Sequence, residues 1–274
     1  MKRAALLTPA IGFYSFFLIA LVSVCRLSLF QSAPGHDVFI GLAHFKKIFT
    51  DELFIQQLIN TFIYVVLITA GQTGLALLIA LAIRDISKVF RGASIFFLYI
   101  PTLTSGVIIR SVWRWVFAPS SDGLLNWILG TDVIWMLYRF PAIGAISTVL
   151  IVSHLGFYVI MFTVALTTIK KEIIDAARID GAKQCQVRRF ILVPMIRPMI
   201  ALAVLLSAIG SFMVWETIKF MAPIAGAQNL MFSMYTTGFE VGNYGEASAK
   251  TIVLVLIIAM FAIAKRRVEY DRSR

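Results

Sequence analysis

Six stretches of roughly twenty apolar residues run through this chain, and they leave few ways to fold it. A helix needs about 20 consecutive apolar residues to cross a bilayer. Such runs lie near Leu6–Leu29, Leu58–Ile83, Ala93–Phe117, Pro141–Thr168, Met199–Met221 and Ala249–Ala264. Of the 274 residues, 59% are hydrophobic and only 14% are charged, too few charges to cover a soluble protein of this length. The expectation is an all-α integral membrane protein with six transmembrane helices, built as a single domain over 1–274.

The charges then read as topology. The net charge is +11, which by itself would suit nucleic acid or anionic substrates. Its distribution argues otherwise. With the N-terminus in the cytoplasm, 17 of the 25 Lys and Arg fall in inner segments, among them Arg84, Lys88, Arg91, Lys170 and Arg188. That is the positive-inside bias. It sets both termini as cytoplasmic and excludes nucleic acid as a partner. The first apolar run reads as an uncleaved span, since Val24 ahead of Cys25 is too bulky for lipoprotein processing. Cys25 and Cys185 fall at opposite faces in this topology, so neither a disulfide nor a metal site is expected.

One long polar interruption stands out. Lys170–Pro198 reads KKEIIDAARIDGAKQCQVRRFILVPMIRP, a charged, helix-forming island between two apolar spans. Lys171 to Asp180 contains no helix breaker, and Ile173, Ile174 and Ala177 form a small apolar face. Gly181 is placed to turn left-handed and end that helix. A second short helix follows through Val187, Phe190 and Ile191 until Pro194. Two short helices joined at a glycine make a knob, kept slim by Ala176 and Ala177. Asp175 and Asp180 are placed to meet basic groups on a partner. The alternative is an amphipathic helix on the inner leaflet, with Lys170, Lys171, Arg188 and Arg189 on anionic lipid.

Asp175-Ala176-Ala177, three residues, Gly181, and Pro194 thirteen residues later resemble the coupling loop of binding-protein-dependent ABC import permeases. Further segments point to the carbohydrate-importer, maltose-type branch: FIGLAHFKKIF, INTFIYVV, FRGASIFFLYIPTLTSGVIIRSVWRWVF and DGLLNWILG in this order. The last suits the first subunit of the permease pair. The resemblance implies a type I ABC importer permease fold in a bacterial or archaeal cytoplasmic membrane. It also implies a heterodimer with a second permease, two ATP-binding-cassette subunits and an extracytoplasmic sugar-binding protein. ATP and Mg would be bound by the ATPase subunits, with no cofactor in this chain. The loop residues implied to couple to the ATPase are Ile174, Asp175, Ala176, Ala177, Asp180, Gly181 and Ala182. The sequence departs from the family at Asp175, where the pattern has Glu, and at PIAGAQN, where this branch often has Thr-Gly-Gly-Pro.

Candidate pathway residues come from chemistry within the spans. Ionisable groups there are costly and are functional suspects. His154 is one, and Glu216, expected to pair with Lys219 one turn on, is another. Arg110 and Arg114 read as side chains that snorkel to the outer surface, with reception of the binding protein as the alternative. Sugar sites combine aromatic faces with hydrogen-bonding edges, which adds Phe212 and Trp215, and Thr104 and Ser105 beside Pro101 and Gly106, where a kink or unwound turn is expected. No P-loop and no His-Glu-x-x-His pattern occurs in the sequence, so catalysis is not expected here. Two other classes compete: a stand-alone secondary transporter and a membrane-embedded lipid enzyme. The first would need a repeat and buried coupling carboxylates, of which only Glu216 comes near. The second would need clustered acidic or His motifs.

Overall fold

Helices carry almost all of the computed structural model, which describes residues 2–33, 36–223 and 226–272. They fall into two compact units, one of residues 1–60 with 228–274 and one of Thr61–Ala227.

The first unit pairs the two ends of the chain. Helix α1 (Lys2–Leu27) packs along α14 (Tyr244–Arg272). From Phe13 to Val22 the large apolar side chains of α1 are exposed, as suits a helix facing lipid or another subunit. The segment after α1 is an antiparallel hairpin, β1 (Phe30–Ala33) with β2 (His36–Phe39), in the register Phe30↔Phe39 and Gln31↔Val38. It leads into the amphipathic helix α2 (Ala43–Thr50), which packs on α14. A methyl group at Gly245 would meet the His44 ring and the Phe30 carbonyl, so only glycine permits this close approach.

The last helix starts five residues before the expected span, because its charges are paired. Lys250 is buried, with Nζ 3.0 Å from Glu246, 2.8 Å from Thr237 Oγ1 and 3.1 Å from Ser233 Oγ. Lys47 of α2 closes on Glu246 at 2.7 Å. A buried charge persists only when its partners replace water, and here Lys250 meets one carboxylate and two hydroxyls. Ser233 lies on α13 (Leu230–Tyr235) and Thr237 in the π-helical turn Thr236–Glu240 that follows it.

In the second unit the core lies where α3 (Glu52–Ile83) and α7 (Arg139–Thr167) bury Ala76, Ala80, Leu155, Val159, Phe162 and Leu166. These two helices and Tyr244–Ile263 of α14 are long and apolar enough to cross a membrane unbroken. The break expected at Pro101 and Gly106 is present in the third span, whereas the fifth, expected to be continuous, is corrected. The third is two helices, α4 (Lys88–Leu103) and α5 (Gly106–Val116), bent by 99°. The fifth stops at Phe212, the end of α11 (Arg197–Phe212), and resumes as α12 (Glu216–Met221). At its other end α11 meets the preceding segment, Gln184–Met195, at 70°. The outer segment between α5 and α7 carries the short helix α6 (Leu124–Leu129), closed by Gly130 at φ 63°.

Close packing holds the bent third segment in place. A Cβ at Gly156 of α7 would lie 2.6 Å from the Tyr99 Cα and press on the Leu98 carbonyl. The backbones of α4 and α7 therefore touch there, which is how helices associate where lipid gives no hydrophobic drive.

Candidate functional site

The polar island forms the expected two helices. Helix α8 (Lys171–Ile179) ends with Gly181 at φ +84°. The Gly181 N–H donates to the Arg178 carbonyl at 3.0 Å, and the Ala182 N–H donates to Ala177 at 2.9 Å. These are the two crossed bonds of a Schellman motif. The chain then turns into α9 (Gln184–Gln186), a π-helical turn Val187–Leu192 and α10 (Val193–Met195). Pro194 has no N–H to bond four residues back, and a widened turn directly before it is the usual accommodation. This helix therefore runs one residue past Pro194, where the sequence reading ended it.

The expected apolar face of α8 is divided between two roles. Ile174 is 2% exposed and packs into the core of its own unit with Val187, Leu192 and Ile196. It anchors the knob to that core. Ile179, beside the glycine turn, is 86% exposed. Asp180 is exposed as well, and Asp175 is half-exposed, 4.0 Å from Arg178. Ala176 and Ala182 are partly exposed beside the turn, while Ala177 is partly buried against the core. Asp85, a residue the sequence reading passed over, ties this segment to the end of α3. Its carboxylate accepts from Gln184 at 2.6 Å and from Arg188 at 3.3 Å.

A second site lies where both broken helices face α7. A cavity of about 440 Å³ is lined by the ends of α4 and α5, one face of α7, and the break between α11 and α12. Thr104 is extended and Ser105, at φ −52° and ψ 131°, also leaves the helical region, so the chain turns sharply between α4 and α5. Irregular backbone of this kind is tolerated at membrane depth only against protein or a cavity. Thr104 Oγ1 donates to the Ile100 carbonyl at 2.9 Å, and Thr102 Oγ1 reaches across to the Ser153 carbonyl of α7 at 2.8 Å. Behind the cavity, Gln72 Nε2 donates to the Leu150 carbonyl at 2.9 Å, and Gln72 Oε1 accepts from Ser207 Oγ at 2.6 Å. This joins α3, α7 and α11.

Four of the six pathway candidates line this cavity: Thr104, His154, Trp215 and Glu216. Ser105 caps α5 and accepts the Ile109 N–H through its carbonyl at 3.1 Å. Phe212 is 1% exposed, with its ring edge-on to Phe62 at 6.4 Å, so in this chain it is a packing residue. Glu216 pairs with Arg110 at 2.9 Å, across 106 residues of sequence. This corrects the snorkelling role expected of Arg110. Arg114 lies over the Phe220 ring at 6.0 Å. The Arg110–Glu216 contact carries no sequence signal, because neither residue shows local periodicity with the other.

Known proteins share this architecture. The model of the family described as binding-protein-dependent transport system inner membrane component matches residues 72–268. A probable ABC transporter permease protein of Bacillus subtilis, YurN, is 30% identical over 93% of this chain and 91% of its own length. The diacetylchitobiose uptake system permease protein NgcF of Streptomyces coelicolor is 26% identical over 84% of this chain and 70% of its own length. Among solved structures, a bacterial ABC transporter involved in the import of the acidic polysaccharide alginate superposes with a TM-score of 0.84. It is 25% identical and covers 97% of this chain and 95% of that one. The match over most of the chain and the shared helical fold together place this protein in the binding-protein-dependent transport system inner membrane component family, as an ABC importer permease.

Proposed function

We propose that this chain is one of two permease subunits of an ATP-driven importer for a sugar or related polyol. The observation that carries the reading is the Schellman-closed knob at Lys171–Met195. Its glycine turn is closed by hydrogen bonds within the turn, Ile174 packs into the core, Ile179 and Asp180 are exposed, and Asp175 is half-exposed. Such an element transmits force because it is rigid and seated, not because it reacts. Its receiver is an ATP-binding-cassette subunit, one of two, which bind ATP and Mg and carry out the hydrolysis. A second permease completes the pathway, and an extracytoplasmic binding protein delivers the sugar. Six spans with both termini cytoplasmic follow from the basic-residue bias. The cavity at Trp215 and Glu216 is the pathway segment this subunit supplies, with Trp215 as an aromatic face and Thr104, His154 and Glu216 as polar edges.

Reconstitution with the partner permease, the ATPase subunits and the binding protein tests this reading. Sugar-loaded binding protein is expected to stimulate ATP hydrolysis and uptake together. Uptake by this chain alone, without ATP, would instead make it a secondary transporter. Labelling checks orientation: a cysteine at Lys183 should react only from the cytoplasmic side and one at Asp122 only from outside.

A further inference from the structure

Four hydroxyl residues line the cavity, Thr102, Thr104, Ser153 and Thr217, and the first three have their protons committed. Thr102 Oγ1 donates to the Ser153 carbonyl at 2.8 Å, Thr104 Oγ1 to Ile100 at 2.9 Å, and Ser153 Oγ to Val149 at 2.7 Å. A hydroxyl that has donated its one proton presents only lone pairs. The His154 ring behaves the same way. Its Nδ1 lies 3.1 Å from the Leu150 carbonyl, and a carbonyl requires a donor, so in the neutral ring Nε2 is left as an acceptor. The only full charges on the lining residues are Arg110 and Glu216, and they are bonded to each other at 2.9 Å. Arg110 is the more hidden, at 16% side-chain exposure against 56% for Glu216. Beyond Thr217 and the Trp215 indole, the polar groups of the wall thus offer acceptors and a carboxylate edge, while its one cation is masked.

From this arrangement we infer that the cavity selects uncharged, hydroxyl-rich glycosides or polyols and rejects uronates and sugar phosphates. A neutral sugar brings many O–H donors to a wall of acceptors. A carboxylate or phosphate brings only further acceptors, and charge, to a site with no available cation, and like-charge contact is how a site discriminates against a ligand. The inference rests on the sugar-pathway reading of this cavity. It separates this chain from the alginate importer, whose substrate is acidic, despite the shared fold. Arg110 and Glu216 are the specificity-determining pair. Removing the Glu216 charge alone should turn the wall from neutral to cationic.

The test uses the assembled importer in nanodiscs, without binding protein, so that the permease's own selectivity is read. Mannotriose and trimannuronate are matched in length and differ in charge. Saturation-transfer NMR reports their binding, with Trp215→Ala showing whether the signal comes from this cavity. The wild-type importer is expected to bind mannotriose and not trimannuronate. Glu216→Gln should gain trimannuronate binding by about tenfold or more, a gain that high salt weakens because it is electrostatic. The double variant Arg110→Gln/Glu216→Gln restores neutrality and should show no gain, which also controls for damage from altering Glu216. Wild-type binding of trimannuronate equal to that of mannotriose, or no gain in Glu216→Gln, overturns the charge selection and leaves the sugar-pathway reading standing. Binding of neither probe, or binding indifferent to Trp215→Ala, removes the sugar-pathway reading and this inference with it.

Discussion

The knob at Lys171–Met195 and the cavity beside Trp215 are both made where helices stop, but the stops are closed differently. The knob closes on itself: Gly181 and Ala182 return their N–H groups to Arg178 and Ala177 within the same turn. The cavity wall closes on distant elements, with Thr102 on Ser153 and Arg110 on Glu216. A locally closed element keeps its shape when its surroundings shift, which suits a part that must be pushed. A wall held by contacts between separate helices changes shape when those helices move, which suits a part that must open.

The largest expected effect comes from forcing the cavity wall apart. At Gly156 the obstacle to any side chain is the backbone of α4, at Leu98 and Tyr99, which cannot swing aside as a side chain can. Overpacking of this kind costs about 1–3 kcal/mol and often more. Gly156→Val should abolish recovery of assembled complex in size-exclusion chromatography, and Gly156→Ala should lower its melting temperature. A stable Gly156→Val complex would mean that α4 and α7 are not in contact there.

Next comes the knob. A β-branched residue at Gly181 must hold a left-handed backbone, at about 1–2 kcal/mol. The structure leaves open space around Gly181, so the penalty within this chain is conformational, and the added bulk matters only against the ATPase. Gly181→Val should leave the spans inserted and remove most binding-protein-stimulated ATP hydrolysis, while the isolated ATPase subunits keep theirs. Full stimulated hydrolysis and transport in a fully assembled Gly181→Val complex would end the assignment of this loop as the coupling element.

The same contrast decides what the sequence discloses. The knob was readable because its determinants are local: a breaker-free helix, a glycine at the position that ends it, and a proline at the far end. The long apolar runs gave α3 and α7 for the same reason. The cavity was only half readable. Trp215, Glu216, His154 and Thr104 were suspected from residue type, but type does not say which way a side chain faces, and Phe212 turned into the core. Glu216 was matched to Lys219 because helix periodicity offers only near neighbours, whereas Arg110 lies 106 residues away. The break in the fifth span is hidden because hydropathy averages over residues 213–215, whereas Pro101 and Gly106 mark the one in the third. Lys250 and Glu246 hid for a related reason, since single charges near a span end look like its boundary.

A smaller effect is expected where the knob is tied to the rest of its unit. Asp85 accepts from Gln184 and Arg188, all three side chains being partly exposed. A partly exposed ion pair contributes about 0.2–1 kcal/mol. Asp85→Asn should therefore keep the complex assembled and reduce stimulated ATP hydrolysis by a factor of about 1.4 to 5, the rate equivalent of that energy. An unchanged rate would show that the Asp85 tether does not transmit force.

The smallest effect on this chain's own stability, and the most discriminating for the knob, belongs to Asp175. Its contact in this chain is Arg178 at 4.0 Å, one turn on, with both side chains about half exposed. Pairs of that kind contribute about 0.2–0.5 kcal/mol, and water and salt weaken them further. The Ala-rich turn around it holds its helix without the carboxylate, and alanine is the best helix former. Asp175→Ala should therefore leave the melting temperature of the purified permease pair within about a degree of wild type, given that ~1 kcal/mol moves a domain of this size by a few degrees. Any loss of stimulated ATP hydrolysis would then arise outside this chain, as the proposed contact of the Asp175 carboxylate with a cation of the ATPase requires. Raising the ionic strength should reproduce that loss in the wild-type importer and add little to it in the variant. If Asp175→Ala instead destabilised the isolated pair as much as it slowed hydrolysis, the carboxylate would be structural, and the exposed face of the knob would rest on Ile179 and Asp180 alone.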